Sequence, residues 1–403
     1  MLKLALRNVF RHKLRTAMTL VAIVFGVVGL ILSGGFVQDM FHQLGESIIH
    51  SQSGHLQVSR AGFQAHGTRS PEKFLIDQPA ALRQQLLAQP QVDDVMGRIN
   101  FSGLISNGRS DWPIVGEGVE PDKEARLGTH IHIVEGRRLA QGDSFGVILG
   151  DGVAHTLKLH PGDRITLLIN TAEGALNSLE FEVVGIFQSF SKDYDARAVR
   201  IPLGAAQELL GTQGVNSLVV SLKRTEDTGL VAEVLGRQLD GKQFEVMTWE
   251  VLNDFYKSTV ALYERQFGVL QFIILVLVLL SVANSVNMSV FERVGEFGTM
   301  MALGNRRHVV FRLVLAENAL LGLCGAGLGA ALGVILALVI SAVGIPMPPP
   351  PNANLGYTAH ILVVPPTLLL AFGIGVCATF LAALIPAWRV SRIPVVNALM
   401  QNY

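Results

Sequence analysis

Four long apolar runs interrupt this chain, at about residues 16–36, 266–291, 313–343 and 362–388. Each is long enough to cross the ~30 Å hydrocarbon core of a bilayer. Between the first and second runs the pattern changes character. Residues 41–265 alternate short strand-like stretches with amphipathic stretches and turn residues, as a folded water-exposed domain does. The pattern predicts a membrane α-helical protein with four transmembrane helices and a large extracytoplasmic α+β domain inserted between the first two. A basic start before an apolar run also suits a cleaved signal peptide. The first run is too long for one, and Gln38, Asp39 and Met40 stand where no small-residue cleavage site can be read. Segment 16–40 is therefore read as a retained helix.

Within 41–265, GHLQVSR at 54–60 alternates like a strand that follows a helical extension of the first span. Residues 79–89, 203–210 and 228–239 read as helices; 179–187, 217–223 and 244–248 read as strands. Residues 101–119 form two strand-like runs broken at Asn107-Gly108, a hairpin signal. Residues 147–170 read strand, helix, Pro-Gly-Asp turn, strand. Residues 249–265 are predicted as a helix running straight into the second span. Two lobes suit this length.

Composition adds exclusions. The chain has 403 residues, 32 basic against 32 acidic, so bulk charge gives no basis for a nucleic-acid partner. Its two cysteines, Cys324 and Cys377, lie inside apolar runs, which leaves the external domain without a disulfide framework.

Charge also orients the array. Lys3, Arg7, Arg11, Lys13 and Arg15 precede the first span; Arg293, Arg306, Arg307 and Arg312 separate the second from the third; Arg389 and Arg392 follow the fourth. The connection 344–361 has no Lys or Arg. The positive-inside rule puts both termini and loop 292–312 in the cytoplasm, and 41–265 and 344–361 outside. The start, 1–15, reads as an amphipathic helix in the membrane interface. The proline run at 346–352 reads as a stiff polyproline II connector, with a contact surface as the alternative.

Loop 292–312 is the most informative stretch. Phe297, Met300, Met301 and Leu303 recur at helical spacing, and Gly304 stands where a helix is capped. A short helix at the cytoplasmic surface and a solvated basic loop both fit. Polar residues within the spans, Asn284, Ser285, Asn287, Glu317 and Asn318, suit interhelical hydrogen bonds, with Glu317 also placed to pair with Arg312 or a neighbouring basic residue. In the third span Gly322, Gly325, Gly327, Gly329 and Gly333 predict close helix packing.

Several matches are rejected. GRQLDGKQ at 236–243 nearly fits a phosphate loop but ends in Gln243 and follows a helical stretch. LSGGF at 32–36 lies within a span. His130 and His132 make an H-x-H pair with no Cys or acidic cluster beside it, so a surface pair is preferred to a metal site. With no catalytic constellation, the chain reads as no enzyme.

The layout, with ERVGEFGTMMALGNRR between spans two and three, resembles the FtsX/MacB-type (mechanotransmission) ABC transporter permeases. Their E-R-x-x-E-I-G-x-x-x-A-L-G segment is matched by Glu292, Arg293, Glu296, Phe297, Gly298, Ala302, Leu303 and Gly304, with Phe297 replacing Ile. The family's C-terminal motif is matched by Pro386, Ala387, Arg389, Pro394, Ala398 and Leu399, and its N-terminal motif by residues 4–16. The resemblance implies a dimer, with a second copy or a paralogue, served by two copies of a cytoplasmic ABC ATPase. That ATPase binds ATP and Mg; this chain is expected to carry no cofactor or metal. Because the chain starts at the amphipathic helix, the ATPase is expected to be a separate protein. The coupling helix falls on Phe297, Gly298, Met300, Met301, Ala302, Leu303 and Gly304, with Glu292, Arg293 and Glu296 at its start.

The layout is most similar to the lipoprotein-releasing (LolC/LolE-like) permeases of the bacterial inner membrane, which work with a periplasmic partner or carrier. Macrolide or peptide efflux permeases and division-type activators of a periplasmic partner share it. Phe25, Val28, Leu30 and Ile31 of the first span suit an apolar substrate cavity and equally suit membrane lipid. A ligand sensor reporting through 292–312 and an anchored enzyme are the readings from other classes. The first has no need of the two further spans, and the second lacks an active site.

Overall fold

A computed structural model describes residues 13–67, 71–171, 173–349, 354 and 356–394. The predicted amphipathic start up to residue 12, and Ala398 and Leu399 of the C-terminal motif, lie outside the described residues. The chain forms two compact units. One contains residues 43–258 and 347–357; the other contains the residues up to 42, 259–346 and those from 358 onward.

The first unit is built on ten strands: β1 (Leu56–Arg60), β2 (Val92–Ser106), β3 (Asp111–Val119), β4 (His132–Gly136), β5 (Gly146–Gly150), β6 (Arg164–Asn170), β7 (Leu176–Gln188), β8 (Ala198–Pro202), β9 (Ser217–Leu222) and β10 (Phe244–Thr248). Strand β2 is 15 residues long and serves two sheets. Its first half pairs antiparallel with β9, beyond which lie β1 and β10. Its second half pairs with β3 and β6, and the ladders β2–β3–β8–β5–β7–β6 return to β2 as a closed ring. Two of those ladders, β3/β8 and β5/β7, are parallel.

The ring is filled by period-two alternation. Along β6, Ile165, Leu167 and Ile169 are buried while Arg164 and Asn170 face water. Ile99, Phe101, Phe181, Leu149 and Ile201 join them, and the helix Leu203–Leu210 adds Ala206 and Leu209. The predicted two lobes exist as ring and open sheet, but one continuous core runs through both, because β2 belongs to each.

One predicted element is corrected. Residues 249–265 do not form a single helix. Trp249–Leu252 makes one short turn, and a new helix starts at Asp254. The Trp249 ring is buried against Leu44, Ile48 and Ile49, and Gly45 leaves room for it: a Cβ there would lie 2.7 Å from the ring. Asn253 donates its side-chain amide to the Trp249 carbonyl at 2.7 Å, which ends the turn.

The second unit holds the greater part of the long helices α1 (Lys13–Ile48), α2 (Asp254–Glu292), the short α3 (Val294–Ala302), α4 (Arg307–Val343) and α5 (Pro365–Ser391); residues 43–48 of α1 and 254–258 of α2 belong to the first unit. Among the described residues, four helices are long and apolar enough to cross a membrane. The glycine pattern of α4 has a partner. Cβ atoms at Gly325, Gly329 and Gly333 would lie 2.9, 2.8 and 2.9 Å from Ile23, Val27 and Ile31 of α1, so small residues let these backbones close up. Helix α2 differs, burying the narrow stripe Val282, Val286 and Val290 and leaving Val269, Phe272, Leu277 and Leu280 exposed.

The connector after α4 also departs from expectation. Pro346 and Met347 lie in β11 (Ile345–Met347), paired with β12 (Tyr357–Ala359), not in polyproline II, and residues 350–352 of the predicted run lie outside the described residues. The chain beyond is tied down within the same unit. His360 donates its backbone N–H to the buried Asp39 carboxylate at 2.8 Å, and Leu362 donates to the Gly35 carbonyl at 3.2 Å.

Candidate functional site

Loop 292–312 folds as a helix, not as a solvated coil. Helix α3 presents Val294, Phe297 and Gly298 to the core of its unit, with Met300 and Met301 packed against that core. Glu292, Glu296, Ala302, Leu303 and Gly304 are exposed. The helix ends in a Schellman motif: Asn305 donates its N–H to the Met300 carbonyl and Gly304 to that of Met301, both at 3.1 Å. Gly304 has φ +92°, a conformation that disfavours any side chain.

Arg293 anchors the start of α3. It is 7 % exposed and makes a two-pronged ion pair with Glu317 of α4, Nη1 to Oε2 at 2.6 Å and Nη2 to Oε1 at 3.2 Å. Its Nε donates to Glu296 at 3.1 Å, and its guanidinium lies 5.0 Å from the centre of the Phe297 ring. Planar pairing of this kind fixes direction as well as distance. The buried ion pair, the ring and the cap thus hold a short helix whose outer face is exposed.

The structure sorts the predicted site residues by depth, with Met300 and Met301 half-buried between an inner and an outer group. Arg293, Phe297 and Gly298 are interior supports. Glu292, Glu296, Ala302, Leu303 and Gly304 form the accessible part, and Leu303 is a large apolar side chain left 81 % exposed. Sequence reading flagged Glu317 but did not identify Arg293 as its partner; an acid within an apolar run and an arginine beside another were the available signal. Of the remaining polar span residues, Asn318 donates to the Val314 carbonyl of its own helix, and Ser285 meets Thr19 of α1. The four first-span candidates are not brought together: Phe25 is exposed, whereas Val28, Leu30 and Ile31 are buried.

A second charged cluster lies wholly within the external unit and was not foreseen. Arg200, Arg98, Glu117 and Glu124 are all buried. Arg200 pairs with Glu124 at 2.7 Å and lies 3.0 Å from Glu117, while Arg98 pairs with Glu124 at 3.0 Å. Further donors reach backbone and a ring hydroxyl: Arg200 Nη2 donates to the Ser51 carbonyl at 2.8 Å and to the Tyr194 hydroxyl at 3.1 Å, and Arg98 Nη1 donates to the Gln52 carbonyl. Two cations therefore cap the carbonyl end of the π-turn Ile49–Ser53, where the helix dipole is negative. Burial pushes the Glu124 carboxyl up, but the Arg98 and Arg200 guanidiniums overcome this and hold it below the usual carboxylate range. The H-x-H pair is split: His132 begins β4, whereas His130 precedes it and stacks on His50 with ring centres 5.6 Å apart.

These features, four apolar helices, a strand ring inserted after the first and a capped helix between the second and third, define a class. The profile of the MacB-like periplasmic core domain matches residues 16–238, and that of the FtsX-like permease C-terminal domain matches 268–395. The chain belongs to this family and is an ABC transporter permease of the MacB/FtsX/LolC type. It is 26 % identical to an uncharacterized ABC transporter permease of Methanocaldococcus jannaschii, over 84 % of each chain. It is 22 % identical to the macrolide export ATP-binding/permease protein MacB of Shewanella sp., over its whole length but 60 % of that protein. It is 21 % identical to the lipoprotein-releasing system transmembrane protein LolC of Xylella fastidiosa, over 94 % of this chain and 92 % of LolC.

Proposed function

We propose that this permease converts closure of a separate cytoplasmic ABC ATPase, bound in two copies, into movement of its external domain. The resulting work extracts or exports a lipoprotein or other hydrophobic substrate from the bacterial inner membrane toward a periplasmic partner. The observation that carries the reading is the Arg293–Glu317 pair under a capped helix. A surface helix that must pass force to a membrane span needs a stiff connection to it, and a two-pronged buried ion pair is stiff and directional. Leu303 and Glu296, exposed on α3, supply an apolar anchor and a charge for the ATPase surface. Relatives of the lipoprotein-releasing and of the macrolide-export type are both similar to this chain, so the cargo is the part of the reading that the experiment must decide.

The test is purification of the chain in mild detergent with everything bound to it. Recovery of an ATPase, lost when Leu303→Asp is introduced and kept in Leu323→Ala, supports the proposal. A chain that folds and dimerises but retains no ATPase overturns it. A cell-wall hydrolase as the sole external partner replaces substrate extraction with activation.

A further inference from the structure

We propose that His50 is a proton-controlled clasp, closed while its ring is doubly protonated and loosened when it loses a proton, that holds segment 46–53 against the rest of the external domain. His50 lies ten residues beyond the membrane span read at 16–40, within the external unit. Both of its ring nitrogens face acceptors: Nε2 is 3.3 Å from a Glu46 carboxylate oxygen, and Nδ1 is 3.1 Å from the Leu127 carbonyl. Neither partner can donate, so the ring fills both contacts only as the doubly protonated imidazolium.

The surroundings leave the proton no better place. Just before β1, His55 accepts the Leu222 N–H at its Nδ1, so its Nε2 carries the hydrogen toward Thr225. The Thr225 hydroxyl in turn donates to the other Glu46 oxygen at 2.7 Å. From the turn after helix Pro121–Leu127, His130 stacks on His50 and donates its backbone N–H to the His50 carbonyl. Burial, and then the nearby His50 charge, push His55 down to about 4 and also lower His130. Asp93 acts on His55 and His132 on His130, at one remove. Of the three imidazoles, His50 is the one whose partners, Glu46 and the Leu127 carbonyl, favour the charged form.

The sign follows from linkage. The hydrogen bond to Glu46 raises the His50 pKa above its ordinary 6.5, against the effect of burial. Its contribution to docking is complete below about 6.5 and is lost as pH rises through the raised value. His55 and His130 act oppositely, their contribution being present at neutral pH and lost on acidification below about 6.5. Comparison with a His50 variant isolates the clasp.

The experiment is hydrogen exchange of the full chain in lipid nanodiscs, followed by mass spectrometry from about pH 5.5 to about pH 8.5 with intrinsic rates corrected. Opening of peptides covering 46–55 and 127–131 is expected to increase several-fold as pH rises from about 6.5 to about 8.5. His50→Gln, which keeps one donor and carries no charge, is expected to flatten the profile. A flat wild-type profile, or a step that survives in His50→Gln, overturns the proposal. If the variant does not fold, ring-proton NMR of the wild-type chain decides: a His50 titration midpoint above 6.5 supports the clasp, and one at or below it refutes the clasp.

Discussion

Arg293 and Glu317 are 24 residues apart in sequence and meet in a buried, two-pronged ion pair at 2.6 and 3.2 Å. Removing one partner strands the other charge out of water, which costs about 3–5 kcal/mol, whereas replacing both with apolar residues is often near neutral. Glu317→Ala and Arg293→Ala are each expected to lower thermal stability in detergent clearly, and Arg293→Met/Glu317→Leu to recover most of the loss. A double-mutant cycle on melting temperature checks this. The recovered double variant should bind ATPase yet couple poorly, because its contact is no longer directional.

Gly304 closes α3 at φ +92° with open space around the position of a Cβ. The penalty for Gly304→Ala is therefore conformational and not steric, roughly 1–2 kcal/mol. Gly304→Asn, which tolerates this region better, should lie between wild type and Ala. Local hydrogen exchange across 294–305 is the readout.

The α1–α4 contact predicts a position-specific effect. Gly329→Ala forces a Cβ to within 2.8 Å of Val27 and should cost about 1–3 kcal/mol. Gly327→Ala meets nothing within 4 Å and should be close to neutral. Equal effects at both positions, measured by melting of the purified chain, would refute the packing described.

Asp195 gives a pH dependence. Burial pushes its carboxyl up to about 6, even though the Ser189 N–H donates to its oxygens. Between about 4 and about 6 the folded chain holds a proton that the unfolded chain releases. The contribution of Asp195 is therefore complete below that window and is lost as pH rises through about 6. The difference in exchange-derived stability between wild type and Asp195→Asn should change across this window and be constant above about 7.

Much of this architecture was readable from hydrophobic period. The spans, most external strands and the capped α3 follow from local patterns that each segment carries alone. What escaped depends on distant partners. Nothing local tells Glu317 that it meets Arg293, or Arg98 that it caps Gln52, because those contacts exist only after β2, β8 and the helices have packed. The break at Asn253 was missed because helical propensity favours continuity there; the cause is Trp249, pinned by residues some two hundred positions earlier. The strand at Pro346 and Met347 was missed because its partner, Tyr357–Ala359, lies beyond the prolines.

The pairing of β1 has a consequence for how the protein is made. Both neighbours of this strand, β9 and β10, come from the far end of the domain, so residues 56–60 have no sheet to join until Leu222 has been synthesised, and their other edge stays open until Thr248 has. Ordering by such distant contacts is slow. The first membrane helix is then in place well before the domain attached to it can finish folding. For that interval the emerging segment exposes unpaired strands outside the membrane, which makes a holding chaperone on that side, or a short translation pause after residue 248, a determinant of yield.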